Sequence, residues 1–266
     1  MFIFQRDRSG LLSLEQRVLM QAGLSLSESH FSHVFCSTEC LASLDASANA
    51  IPVGSVEFVR RWIDQKGLTR ALQRSWPETY PSALYAHLGR TIWQSTLDEA
   101  RIYARDRPVF IKPALLDDIK AFTGRVIHSG NLSKNDNIDD LPGTLMVWCS
   151  TPITLVAEYR AYIVRGQLAG IARYDSGSKR GTPEPDTQRI RSWVQDFPSA
   201  PAGYALDVGI LPDGNMVLVE VNDGWALGYY PNMSPPEYHN LLAARWQEIV
   251  GLGDAHNERQ RARAAS

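Results

Sequence analysis

Residues 204–222 read YALDVGILPDGNMVLVEVN. Two apolar runs flank Pro212-Asp213-Gly214, a pattern that predicts a hairpin turning at 212–214. Strand side chains repeat every two residues, so Glu220 and Asn222 share a face. The turn brings Asp207 opposite Glu220, and two carboxylates and an amide oxygen converge. Like charges so close are costly unless a cation lies between them. An all-oxygen set favours Mg²⁺ or Mn²⁺ over zinc. A hairpin with exposed acids is the ordinary alternative, and the hairpin alone does not separate the two readings.

Upstream, ITLVAEYRAYIVRGQLAGIARY (153–174) predicts two strands around Arg165-Gly166. Glu158 and Arg160 fall on one strand face, with Arg173 on the partner strand. RPVFIKP (107–113) and LMVWCSTPI (145–153) are two further β runs. One antiparallel sheet is thus expected to offer Lys112, Arg160, Arg173 and the three oxygen ligands. Cations plus a divalent metal are what a triphosphate requires. The plainer readings are a cross-strand ion pair and a lysine covering a strand edge. HLGRTIWQSTLDEARIYA (87–104) reads as helical, and PPEYHNLLAARWQEIVG (235–251) as a last helix. The long gaps 120–143 and 175–202 are candidate lids. Asp223, Trp225, Tyr229 and Tyr230 follow the metal strand, either lining its pocket or filling the core.

Toward the N-terminus the order is strand, helix, strand, strand, helix. MFIFQ opens it, Ser13 is a plausible cap for the first helix and Gly23 its stop. IPV precedes a helix with Val56, Val59, Trp62 and Ile63 on one face. This predicts a small α/β domain over 1–85, ended by the Pro-containing RSWPETYPS (74–82), then a main domain over 86–253 and a flexible tail over 254–266.

At 266 residues, 44% hydrophobic and 21% charged, the composition is that of an ordinary globular chain. A net charge of −2 gives no general pull toward nucleic acid or membrane. The start carries charge too early for a signal peptide, and no run is long enough to span a bilayer, so a cytoplasmic protein is expected. Three cysteines are too few for a disulfide framework. His30, His33, Cys36 and Cys40 have a zinc-like spacing, but strand alternation would put His33 on the opposite face from His30 and Cys36. There is no phosphate loop, dinucleotide fingerprint, zincin motif or nucleophile elbow.

In order along the chain, VFIKP, KAFTG, LMVWCS, VAEYRAYIV, ALDVGI and VEVND resemble the ATP-grasp superfamily. The spacing of Asp207, Glu220 and Asn222 resembles the metal-binding strands of the D-alanine–D-alanine ligase type. IPVGSVEF and EVNDGWALGYY are similar to the R-two-K clade. The resemblance spans about residues 50–235. It implies an α+β ATP-grasp fold, two subdomains clasping ATP, after a small α/β domain. It also implies roles. Lys112 would contact the α-phosphate and the N7 side of adenine. Lys120 to Gly124 would be the loop over the phosphates. The backbone of Met146, Val147, Trp148 and Cys149 would read the adenine edge. Arg90 would stand where relatives have their first phosphate-binding lysine, and Glu158 would join the nucleotide-binding set. Asp207, Glu220 and Asn222 would hold Mg²⁺ or Mn²⁺, with Arg160 and Arg173 as catalytic cations. The chain departs from the pattern at Ala205, where relatives often have arginine, and in having Gly124 as the loop's one glycine.

The expected activity is ATP- and Mg²⁺-dependent ligation of a carboxylate, through an acylphosphate, to an amine or similar nucleophile. The carboxylate substrate would be a small molecule or a peptide. Phosphotransfer to a small molecule, and nucleotide binding without turnover, are the alternatives.

Overall fold

Parallel strands covered on both faces read as unbroken apolar runs. The run Phe-Ile-Phe at the start of the chain is one. In the computed structural model, β1 (Phe2–Gln5) is the central strand of a three-stranded sheet, parallel to β2 (His33–Cys36) and β3 (Ile51–Val53). The structure describes residues 1–6, 10–25, 32–75, 78–114, 121–128, 138–175 and 183–264. α1 (Leu14–Ser25) connects β1 toward β2, and its first turn is closed reciprocally. Gln16 N donates to Ser13 Oγ at 3.3 Å while Ser13 N donates to Gln16 Oε1 at 3.1 Å. Gly23 does not stop this helix; the chain stays helical to Ser25. α2 (Val56–Gln65) is capped by Ser55 and buries Phe58, Val59, Trp62 and Ile63. Each such side chain contributes roughly 1.5–3 kcal/mol of transfer free energy. α3 (Thr69–Ser75) follows.

The chain divides into two compact units, Met1–His87 with Val156–Ser266, and Leu88–Leu155. In the shorter unit, β4 (Ile92–Thr96), α4 (Leu97–Tyr103), β5 (Val109–Pro113), β6 (Arg125–Ile127) and β7 (Met146–Ser150) build an antiparallel sheet of order β4-β7-β5-β6. The helix expected over 87–104 is corrected here. Ile92–Thr96 pairs with β7, and helix begins only at Leu97. The switch is local chemistry: the Thr96 side chain accepts from Glu99 N, and Glu99 reaches back to Thr96 N at 3.1 Å.

The longer unit continues with β8 (Ala157–Val164), β9 (Gln167–Arg173), α5 (Thr187–Gln195), β10 (Gly203–Ile210), β11 (Met216–Asp223) and α6 (Pro235–Ala264). Its second sheet has the order β11-β10-β8-β9, antiparallel throughout. Both hairpins turn where expected. Arg165 and Gly166 have φ of 47° and 74°, the paired left-handed conformations of a tight hairpin turn. α6 runs on past Gly253 to Ala264. Phe2 and Phe4 share one core with Tyr162, Ala205, Tyr238 and Leu241, so the N-terminal sheet, β8, β10 and α6 are packed as one body. Among the described residues no helix is long and apolar enough to cross a membrane.

Candidate active site

The register of three strands builds one row of charge. Asp207 on β10 pairs with Glu220 on β11 and with Arg160 on β8. Directly paired residues of antiparallel strands share a face, so the three side chains meet. Arg160 Nε donates to Asp207 Oδ1 and Nη2 to Oδ2, both at 2.8 Å. Asn222 Nδ2 donates to Asp207 Oδ2 at 2.9 Å and to Glu220 Oε1 at 3.2 Å. The convergence expected from the hairpin is therefore present, with the arginine added to it.

Aromatic rings hold that arginine. Tyr174 and Tyr230 stack with centroids 5.2 Å apart, and the Arg160 guanidinium carbon is 5.6 Å and 5.1 Å from the two rings. Burial works against the Arg160 charge, but the Asp207 hydrogen bond and charge outweigh it and the guanidinium is held more firmly protonated than usual. The Tyr174 hydroxyl donates to Glu158 Oε2 at 2.9 Å. Burial, then the charges of Asp207 and Glu158, push that phenol far above its ordinary range, so it stays a donor. Among the described residues Arg160 Nη1 makes no hydrogen bond. This unused half of the fork is the group with which a bound anion would pair.

The row fits a cation. Two carboxylate oxygens lie within 2.9 Å and 3.2 Å of one small donor, the Asn222 Nδ2. A half-turn of that amide would present Oδ1 in its place, completing an all-oxygen set. Among the described residues no group of three or more His, Cys, Asp and Glu comes together. A metal here thus depends on the amide as well as the two acids.

Other expected site residues lie elsewhere. Arg173 pairs with Tyr159 across β8 and β9, and the two-residue period places it on the opposite sheet face from Arg160. There it forks onto Asp175 at 2.7 Å and 2.9 Å. Lys112 does not share this sheet either. It is on β5 in the Leu88–Leu155 unit, paired with Trp148. The single sheet carrying Lys112, both arginines and the metal set is therefore corrected to one row holding Arg160 alone. Gly124 does lie beside Lys112: a Cβ built on it would come within 3.4 Å of the lysine Cβ and 2.7 Å of the Phe110 ring. Arg90 Nη1 donates to the Leu88 carbonyl at 3.0 Å. Lys120 lies outside the described residues, as does His30.

Met146, Val147, Trp148 and Cys149, expected at the adenine edge, lie on β7. β7 is an inner strand, paired with β4 on one side and β5 on the other, and Met146 O accepts from Ala114 N at 3.0 Å. Backbone committed to two ladders has no edge to offer a base. The Cys149 thiol is buried in the core of this unit, and burial, with the Glu99 charge, pushes it up to about 11.

Tyr162 and Tyr174, both close to Arg160, were missed. Tyr162 follows Arg160 by two residues, so period-two reading could have found it; its hydroxyl accepts from Tyr230 N at 3.0 Å. Tyr230, left between pocket and core by the sequence, lies against the arginine. Asp223 belongs to another site: Arg245 Nε and Nη2 both bind it at 2.6 Å, with side-chain exposures of 0% and 1%.

The profile of the ATP-grasp domain, R-two-K clade family 2, matches residues 87–241. No curated protein matches the sequence. Among solved structures, the chain resembles the ATP-grasp ligase PsnB complexed with minimal precursor, at 12% identity and a TM-score of 0.52, covering 94% of this chain and 98% of that one. It resembles the RimK domain ATP-grasp protein of Sphaerobacter thermophilus at 14% identity and a TM-score of 0.51, covering 93% and 98%. The D-cycloserine synthetase DcsG gives 13% and 0.50, covering 94% and 98%. At such identities the likeness is one of fold.

Proposed function

Because this chain belongs to the ATP-grasp R-two-K clade, family 2, and is by that membership an ATP-dependent ligase, we propose that it joins a carboxylate to an amine through an acylphosphate. The observation that carries the reading is the Arg160–Asp207–Glu220–Asn222 row. Mg²⁺ (or Mn²⁺), when bound, would supply positive charge against the phosphates, held by Asp207, Glu220 and Asn222 Oδ1. Arg160 Nη1 would pair with the transferring phosphoryl group, while Asp207 and the two tyrosine rings keep the fork oriented. In the Leu88–Leu155 unit, Lys112 would bind phosphate, with Gly124 leaving room beside it and Arg90 as a further cation. Residues 151–155 run outside any strand and are the better source of backbone for the adenine edge.

The substrate carboxylate attacks the γ-phosphorus and ADP leaves; the amine then attacks the acyl carbon and phosphate leaves. No side-chain nucleophile is required, in keeping with the missing nucleophile motifs. The carboxylate partner is a small molecule or a peptide. We assign the protein to the cytoplasm, where its three unpaired cysteines would stay reduced.

The test is phosphate release with mixed acid and amine pools. Release that needs both supports ligation; a stable phosphorylated product would make the protein a kinase instead. A melting temperature raised by ATP·Mg²⁺ no more than by salt would sink the nucleotide reading itself. Lys112→Ala should weaken ATP binding about tenfold, the loss of one charged phosphate contact, with the melting temperature unmoved.

A further inference from the structure

A cavity of about 390 Å³ opens at the carboxyl ends of β1 and β3, wholly within the longer unit. Its size is that of a small-molecule site. Its place has a topological reason. In the order β2-β1-β3, the chain leaves β1 by way of α1 and leaves β3 by way of α2, so a crevice forms where the two connections diverge. Gly54 lets the chain leaving β3 pack close on Gln5, since a Cβ there would come within 2.5 Å of that side chain.

The polar groups of the wall are nearly all committed to one another. Gln5 Oε1 accepts from Ser55 N at 2.6 Å, and its Nε2 donates to Thr38 at 3.0 Å. Gln16 Nε2 donates to Gln5 O at 2.8 Å, and the Tyr238 hydroxyl donates to Leu227 O at 2.6 Å. Glu15 differs. Among the described residues it is the one lining residue with a formal charge, and its one hydrogen bond there is a long one, 3.3 Å from Tyr229 N to Oε1. The rest of the lining is mostly apolar, including Leu12, Val53, Trp225 and Leu227. An apolar chamber with one under-used carboxylate selects a cation on an apolar body and repels a second carboxylate.

The cavity wall is joined to the tyrosines around the charged row. Tyr229, which meets Glu15, precedes Tyr230 of the Arg160 stack, and Tyr162 OH donates to Gly228 O at 3.2 Å. We propose that this cavity seats the amine partner of the ligation: a primary amine on an apolar body, held as its ammonium ion by Glu15. The inference rests on the ligase reading and adds the chemical class and seat of the acceptor.

The test uses the full chain without nucleotide, and two probes alike in shape, 4-phenylbutylamine and neutral 4-phenylbutan-1-ol, titrated calorimetrically. The amine should bind about tenfold tighter than the alcohol, as a charge-assisted contact predicts. Glu15→Gln should erase that difference and leave alcohol binding in place. Ala226→Phe, which fills the chamber from a half-buried wall position, should abolish both with the melting temperature unmoved. Equal binding of the two probes, or amine binding unchanged in both variants, overturns the proposal. The ATP·Mg²⁺ thermal shift is read on the same samples. A shift without amine selectivity removes the cavity assignment and leaves the ligase reading. Amine selectivity without a shift overturns the ligase reading and leaves Glu15 as an amine site.

Discussion

Two aspartates of the β10–β11 hairpin are each met by an arginine fork from another element, and the two forks are built to opposite ends. Arg245 with Asp223 is closed: side-chain exposures are 0% and 1%, and Nη1 and Nη2 go on to Glu248, Ser75 Oγ and Ser75 O. All three guanidinium nitrogens are bonded. Arg160 with Asp207 is forked in the same way, with both bonds at 2.8 Å, yet Arg160 keeps Nη1 uncommitted among the described residues and lies over the rings of Tyr174 and Tyr230. Asp207 is also shared with Asn222. A fork whose donors are all satisfied by protein is a structural joint. One that leaves a donor over, beside two acids on an amide, is equipped to receive an anion and a cation.

The comparison is easiest to break by mutation. Arg245→Met leaves Asp223 buried without its partner and should cost about 3–5 kcal/mol of stability by urea denaturation. If it unfolds at wild-type urea, the closed fork is not a joint. Glu220→Gln keeps shape and removes one of two facing negative charges, so the apo melting temperature should stay or rise. Turnover per folded molecule should fall roughly 100-fold or more, the loss of several kcal/mol of metal-mediated stabilisation. Destabilisation with surviving turnover would make Glu220 a structural ion-pair partner. Arg160→Lys keeps charge and loses the planar fork; we expect kcat to fall about tenfold or more and ATP affinity to change less. Full turnover with lysine would remove phosphate contact from the role of Arg160. The smallest effect is expected at Arg173→Lys. It sits on the opposite sheet face with Asp175, and turnover should stay within about twofold of wild type. A loss matching that of Arg160→Lys would put both arginines in one site.

The oxygen part of the row, Asp207, Glu220 and Asn222, was legible because every step to it is local. Period two in β11 and a short Pro-Asp-Gly turn fix which residue faces which, and the register has Asp207 opposite Glu220. The strand over Ile92–Thr96 was not legible. Its apolar spacing suits a helix as well, and pairing with β7 decided it. The double pairing of Met146–Cys149 was hidden for the same reason: nothing in MVWCS says that a strand will be taken on both sides.

By itself the sequence determined the elements whose information is carried within a turn or a repeat. These are the N-terminal strands, the two hairpins, the shared face of Glu220 and Asn222, and the order of motifs that matches the R-two-K ATP-grasp domain. Tertiary structure alone decided which sheet each cation joins, since Lys112 and Arg160 are separated by the end of one ladder and the start of another. It decided that Tyr230 would stack over Arg160 and that Arg245 would close on Asp223. It also decided that Glu15 would face the 390 Å³ cavity with one long hydrogen bond. Contacts between residues tens to hundreds of positions apart arise from packing many apolar faces at once, and no window of sequence holds that sum.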